Sequence, residues 1–489
     1  MLTWPTSNSP YTTSIHIIDD YSLLNIFYLY RPFLLCEEGF VDIRFWGGVQ
    51  WQGPEGECWW YRLAHVCQRW RNLILGSASY LGLCLVCTYG TPVADMLAHS
   101  PLLPLVLDYC DEDITTEDEE AIVLALEQRD RVRRIRLTIP VLKLQKLIMS
   151  IDGEYPILEY LILGDQFEEK DTVLILPETL QTPHLRHLAI KGSIPIPVRA
   201  PLLGTAAGLA ALYLALFHPS TYFQPTVLLQ WLSSTPQLEM LMIFFYFPVP
   251  NRDVERQLMR RPITTHVTLP NLRSFALQSV SAYSEAVLSR ITAPHLEDFR
   301  INYFKQLTFS VPQLKQFVGR TENLRFNRVG FYFSNMGVYV HIEPPQDETN
   351  APVDTSSINV DCQHLDWQVS SVAQIFNALS QIFSAVEHLT LAHRVHTPPI
   401  QEPNEVDRTQ WRELLRSFSN VKTLHIEDGL VSELSRCLPL EDGEHPLELL
   451  PELQKLTYSR AGNPKNGFTS FIDARQNAGR PVTLMETWN

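Results

Sequence analysis

Pro156-Ile-Leu-Glu-Tyr-Leu-Ile-Leu163 and Pro183-His-Leu-Arg-His-Leu-Ala-Ile190 are two copies of one phrase, P-x-L-x-x-L-x-L. The phrase returns at Pro236 to Ile243, Pro270 to Leu277, Pro294 to Ile301 and Pro451 to Tyr458. Versions without the proline stand at Val132 to Leu137, Leu209 to Leu214, Val386 to Leu391 and Val421 to Ile426, with weaker ones near Leu324 and Leu365. The first apolar positions Val132, Leu158, Leu185, Leu209, Leu238, Leu272, Leu296 and Leu324 are 24 to 34 residues apart. A period of that size marks stacked supersecondary units.

The spacing within the phrase has a physical meaning. Leu161 and Leu163 are two residues apart and so face one side of a strand, while Leu158 closes the corner before it. Several phrases follow a stretch of helical period: Val227, Leu228, Trp231 and Leu232; Phe376, Leu379 and Phe383; Trp411, Leu414, Leu415 and Phe418. Such three- and four-residue steps make one apolar helix face. Helix then strand, repeated, predicts an α/β chain stacked as a curved solenoid. One unit cannot bury its apolar face alone, so neighbours supply the core and leucines such as Leu185 are structural.

Composition sets outer bounds. Hydrophobic residues make up 45% and charged residues 19% of 489 residues, which is ordinary for a folded chain. The formal net charge of -15 repels a polyphosphate backbone, so nucleic acid is not an expected partner. Met1 to Asp20 has no basic stretch followed by an apolar one, and an intracellular protein, of cytoplasm or nucleus, is expected. The run Ala200 to Leu238 lacks Asp, Glu, Lys and Arg and approaches the length of a membrane span. It is interrupted by Gly204 and Gly208 and bounded by Pro201 and Pro219, and the repeat accounts for it, so a membrane segment is not expected. Eight cysteines are too sparse for a disulfide scaffold. Cys84 and Cys87 form a lone C-x-x-C without a second pair, and strand packing is expected for them instead of zinc.

Residues 14–85 read as a different module. Asp19, Asp20 or Ser22 can cap a helix carrying Leu23, Ile26, Phe27 and Tyr30 until Pro32 stops it. A second helix is predicted through Leu63, Val66, Cys67, Trp70 and Ile74, ending near Gly76. An aromatic, glycine-rich insert, 36–58, lies between them.

Two resemblances follow from these residues. Ile17-Ile-Asp-Asp-Tyr-Ser-Leu-Leu-Asn-Ile-Phe27 with Leu63-Ala-His-Val-Cys-Gln-Arg-Trp-Arg-Asn-Leu73 resembles an F-box of the divergent kind common in fungal proteins, with Ile15-His16 where the family begins Leu-Pro. The array from Val132 to Tyr458 resembles the leucine-rich repeats. It departs from them where Gln166, Ser193, Val280 and Phe304 replace the usual Asn or Cys, so the turns there need other hydrogen-bond partners. The F-box resemblance implies docking on a Skp-type adaptor of a cullin ligase, through Leu23, Leu24, Ile26, Phe27, Leu63, Val66 and Trp70. The order of the two modules implies a substrate-recognition subunit of an SCF-type ubiquitin ligase with a protein target. An alternative is a repeat interaction scaffold outside ubiquitin chemistry, its helices only capping the array.

Candidate target contacts lie on strand positions that alternate with the buried leucines. Met240, Met242 and Phe244 are one set, with a reading as a run buried on both faces left open beside it; Asp298, Arg300, His388 and His425 are placed similarly, as are Thr390 and Thr423. The acidic Asp111 to Asp113 and Glu117 to Glu120 read as a solvated helix start at Thr115 or Thr116. None of the sequence phrases of metalloproteases, serine hydrolases or nucleotide-binding loops occurs, and no catalytic, metal or cofactor residue is assigned. An enzyme with dispersed residues would need a pocket of convergent polar groups. Flexible stretches are expected at 1–13, 343–357 and 397–407 and in the tail 460–489, around an array spanning 86–459.

Overall fold

The computed structural model describes residues 18–30, 59–110, 114–165, 173–197, 201–248, 256, 263–321, 323–345, 356–394, 408–439, 445, 447–459 and 468–487. The fold is mixed α/β: 15 α-helices and an open sheet of 16 strands among these residues. From Leu85–Cys87 at one edge, nine strands lie side by side in chain order and parallel, ending with Asp298–Phe304. At the other end, Arg328–Ser334, His388–Arg394, Thr423–Ile426, Lys455–Ser459 and Thr483–Thr487 again run parallel. Between the two runs stand Ser356–Asp361 and Gly337–Glu343, the latter antiparallel to both its neighbours. Two short strands, Val267–Thr268 and Ile291–Thr292, pair apart from the main sheet.

The repeated phrase produces this order because its leucines fall in register. Ile135, Leu161, Leu188, Leu212, Leu241, Phe275 and Phe299 are consecutive partners across seven strands, and each is at most 1% exposed. At about 2 kcal/mol for each large buried side chain, such columns are the main source of stability. Helix Pro225–Ser233 buries Leu228, Trp231 and Leu232, Leu365–Leu379 buries Phe376 and Leu379, and Arg408–Arg416 buries Trp411, Leu414 and Leu415. All join the same apolar core as those columns. The helices thus cover one face of the sheet, and the alternate residues line the other.

Several expectations need correction. The weak phrase near Leu365 is a helix, not a strand. The helix drawn through Leu63 to Ile74 is two, Trp59–Ala64 and Gln68–Gly76, because Cys67 turns extended and its Sγ caps the Trp70 N–H at 3.5 Å. The tail is not featureless: helix Thr469–Asn477 buries Phe471, and Thr483–Thr487 extends the sheet. Glu343 and Ser356, placed in a flexible stretch, belong to strands, while 346–355, 397–407, 1–13 and 36–58 lie outside the described residues. The run from Leu202 to Phe217 divides into helix Pro201–Thr205 and strand Ala211–Leu216. No helix of the described residues is long and apolar enough to cross a membrane. The acidic helix is as read: Thr116–Leu126, capped by Thr115, though Asp111 to Asp113 lie outside the description.

Candidate functional site

The helical module is built around helix Asp20–Tyr30. Asp19 accepts from the Ser22 N–H at 2.9 Å and starts it, and burial of Leu23 and Phe27, four residues apart, fixes its inner face. Phe27 meets Trp70 edge to face at 4.9 Å, and Arg69 donates to Asp20 Oδ1 and to the Ile18 carbonyl, each at 2.6 Å. Tyr80 Oη donates to Asn25 at 3.1 Å. Leu23 and Phe27 are 1% exposed, so they hold the module together and cannot meet a partner, contrary to the sequence expectation.

What the module leaves outside is apolar. Leu29 is 81% exposed, Tyr21 75%, Val66 58% and Ile26 49%, with Tyr28, Tyr30 and Tyr80 exposed as well. Leu24, Leu63 and Trp70 are half-buried at the border. Beside them a groove of about 600 Å³ is lined by Tyr21, Leu24, Asn25, Leu75, Ala78 and Tyr80. Of the residues singled out for an adaptor, Ile26 and Val66 are the ones a partner reaches most fully. Leu29 and Tyr21 were missed because they fall off the inner helical stripe that the periodicity picks out.

On the open sheet face, Met240 and Met242 are also corrected. They are 8% and 2% exposed and pack with Ala211, Tyr213, Ala215 and Ala276 into a small second core, while Leu241, Ile243 and Phe245 enter the main one. The Met run is therefore buried on both faces, and only Phe244 of the three stays accessible. Asp298, 3% exposed, accepts from Ser274 Oγ at 3.0 Å and is structural. Arg300 and His425 are half-buried, and His388 Nδ1 lies 2.6 Å from Thr423 Oγ1. Burial and the neighbouring Arg328 lower the His388 pKa, which favours a neutral ring. Cys87 lies in the main core and Cys84 in a separate cluster with Val86 and Val106, so the C-x-x-C thiols face apart.

Two features of this face escaped the sequence reading. Arg134 lies over the Tyr160 ring, 4.6 Å from its centroid, and Tyr160 stacks on His187 at 4.3 Å with planes 4° apart. Farther along, Asn359 Nδ2 donates to Asn302 Oδ1 at 2.8 Å, and Asn302 approaches Gln278 at 3.5 Å. Arg134, Tyr160, His187, Ala211, Met240, Ser274 and Asp298 occupy one position of successive phrases and form one row. Aligning the phrases on their first leucine finds this row directly. Among the described residues no group of three or more His, Cys, Asp or Glu is placed to hold a metal ion.

Neither the models of known protein families nor the sequences of curated proteins match this chain.

Proposed function

We propose that the chain is a substrate receptor of an SCF-type cullin ubiquitin ligase. In this reading residues 14–85 act as a divergent F-box that docks on a Skp-type adaptor. The parallel strands and their helices are an irregular leucine-rich-repeat solenoid, and its open face holds a target protein. The chain performs no covalent chemistry of its own and works by holding the target near the ligase.

The observation that carries the reading is the apolar surface of the helical module. Leu23, Phe27 and Trp70 complete its packing, yet Ile26, Leu29, Val66 and Tyr21 remain in water. Covering side chains of this size is worth on the order of 1.5 kcal/mol each, so a partner helix seated there gains affinity without remodelling the module.

The test is co-purification of the full chain with a Skp-type adaptor, beside the double variant Ile26→Asp, Val66→Asp. Both positions are exposed, so the variant keeps the fold. Binding by the parent and loss in the variant support the reading. A well-folded parent that ignores the adaptor overturns it. The second reading is then a repeat scaffold capped by its N-terminal helices, favoured by the Trp60 Nε1–H bond to the Cys84 carbonyl at 3.2 Å.

A further inference from the structure

Residues 77–84 join helix Gln68–Gly76 to the first strand, Leu85–Cys87, and hydrogen bonds follow one another along them. The Ser77 N–H donates to the Leu73 and Ile74 carbonyls at 3.1 Å, ending one helix where the short helix Ala78–Leu81 begins. Gly82, at a φ of 63°, turns the chain out of that helix: its N–H returns to the Ser79 carbonyl at 3.3 Å and the Leu83 N–H to the Ala78 carbonyl at 2.9 Å. The Cys84 carbonyl then accepts the Trp60 Nε1–H at 3.2 Å, and the Leu85 N–H donates to the Pro104 carbonyl at 2.8 Å. Leu81, Leu83, Cys84 and Trp60 are each at most 4% exposed. Leu23, Phe27, Trp60, Ile74, Leu81 and Leu83 belong to one continuous core with Leu85, Leu105 and Ile135.

We propose that the N-terminal helices are the first unit of the sheet and form a rigid bracket with it, so that a partner on the helices and a partner on the open sheet face are held at one fixed separation. Modules of one chain move against each other unless the surface between them is large and apolar. A hinge is a short run of residues that absorbs a change of φ and ψ. Neither condition for motion is met here. Rotation at Leu83 or Cys84 would draw Leu83 out of the core and strand the Trp60 Nε1–H, a buried donor whose loss of a partner is costly. Trp60 is the fastener, since its ring lies in the shared core while its N–H ends on the backbone of the last connecting residue. A flexible joint would spread the separation over many values and dilute one partner with respect to the other. For the ligase this consequence rests on the receptor reading: target lysines are then modified within a narrow zone set by the frame, not along the sweep of an arm.

Double electron–electron resonance on the full chain measures the separation. Nitroxides are attached through a ketone-bearing residue placed at Leu29 and Leu142, which are 81% and 65% exposed, and in a control at Leu142 and Leu307, both within the array. The first pair should give a single distribution as narrow as the control. Trp60→Phe keeps a ring and loses the donor, and it should speed hydrogen exchange in helix Gln68–Gly76 and at Leu85 together, roughly fivefold. A distribution broader than the control or split in two overturns the proposal, as does exchange that Trp60→Phe leaves unchanged or accelerates in the helices alone. The adaptor test is read separately. Adaptor binding by a chain with a broad distribution sinks the bracket and spares the receptor reading, and a narrow distribution in a chain that ignores the adaptor does the reverse.

Discussion

Phe27 and Trp70 touch edge to face with their planes at 64°, joining two helices on either side of the aromatic insert. Because Phe27 is fully enclosed, Phe27→Ala leaves a cavity and should cost about 3 kcal/mol. Thermal unfolding followed by tryptophan fluorescence should show the loss. Ile26→Asp, one residue away and exposed, should leave the melting curve in place.

Thr115 and Asp118 cap their helix reciprocally: the Thr115 hydroxyl accepts from the Asp118 N–H at 3.1 Å, and Asp118 accepts from the Thr115 N–H at 2.9 Å. Burial raises the Asp118 pKa, but the N–H groups of Thr115 and Gly90 and the Thr115 hydroxyl outweigh it, and the net shift is downward. The carboxylate therefore stabilises the fold above the ordinary aspartate range and loses that effect as pH falls through its own lower value. Thr115→Ala should cost about 1 kcal/mol at neutral pH and less in acid. Urea midpoints at the two pH values measure both.

His187 lies flat on Tyr160, and burial together with Arg134 pushes its pKa down from 6.5 to about 4. The unfolded chain takes up that proton near pH 6.5 and the folded chain only near pH 4. The stability held by the neutral ring is thus complete above pH 6.5 and drains as pH falls from 6.5 toward 4. His187→Phe keeps the stack and removes the titration. Its denaturation midpoint should vary less with pH across that window than the parent's.

Gly337 packs directly against the neighbouring strand, opposite Asp361. A Cβ there would lie 2.5 Å from the Val360 carbonyl oxygen, a backbone atom that cannot step aside. Gly337→Ala should cost about 2 kcal/mol and loosen the antiparallel pairing. Hydrogen exchange at Val338 and Val340 reads that loosening directly.

Much of the sheet is legible in the phrase because its leucines repeat at two-residue spacing and each copy buries them the same way. Leu158, Leu161 and Leu163 place a strand, and Pro183 onward places its neighbour. The antiparallel insertion was missed although its signal is present. Phe331-Tyr-Phe-Ser-Asn-Met-Gly-Val-Tyr-Val-His-Ile342 alternates on both sides of a polar turn, which is a hairpin pattern with no repeat phrase in it. The closing strand Thr483–Thr487 was missed for a different reason: its apolar residues are Leu484 and Met485, too few to show the repeated phrase.

The candidate surfaces were less legible. Alternation says which side of a strand a residue faces, but not how tall its lateral neighbours are. Met242 stands between Tyr213 and Ala276 and is buried by them, while Tyr246, just past the end of that strand, is 49% exposed. Helical spacing likewise identified Leu23 and Phe27, the side chains that pack, and passed over Leu29, which does not.

The antiparallel strand makes the sheet a splice of two runs. The strands up to Phe304 can add one after another as the chain is made, each finding the edge left by the last. Arg328–Ser334 cannot join them, since its place is two strands away. The edge at Asp298–Phe304 must wait for Ser356–Asp361, whose Asn359 then locks to Asn302 across 57 residues of chain. Such a long-range closure is slow compared with the local additions on either side. The antiparallel strand thus lies between the two least local pairings of the sheet, Asp298–Phe304 with Ser356–Asp361 and Arg328–Ser334 with His388–Arg394.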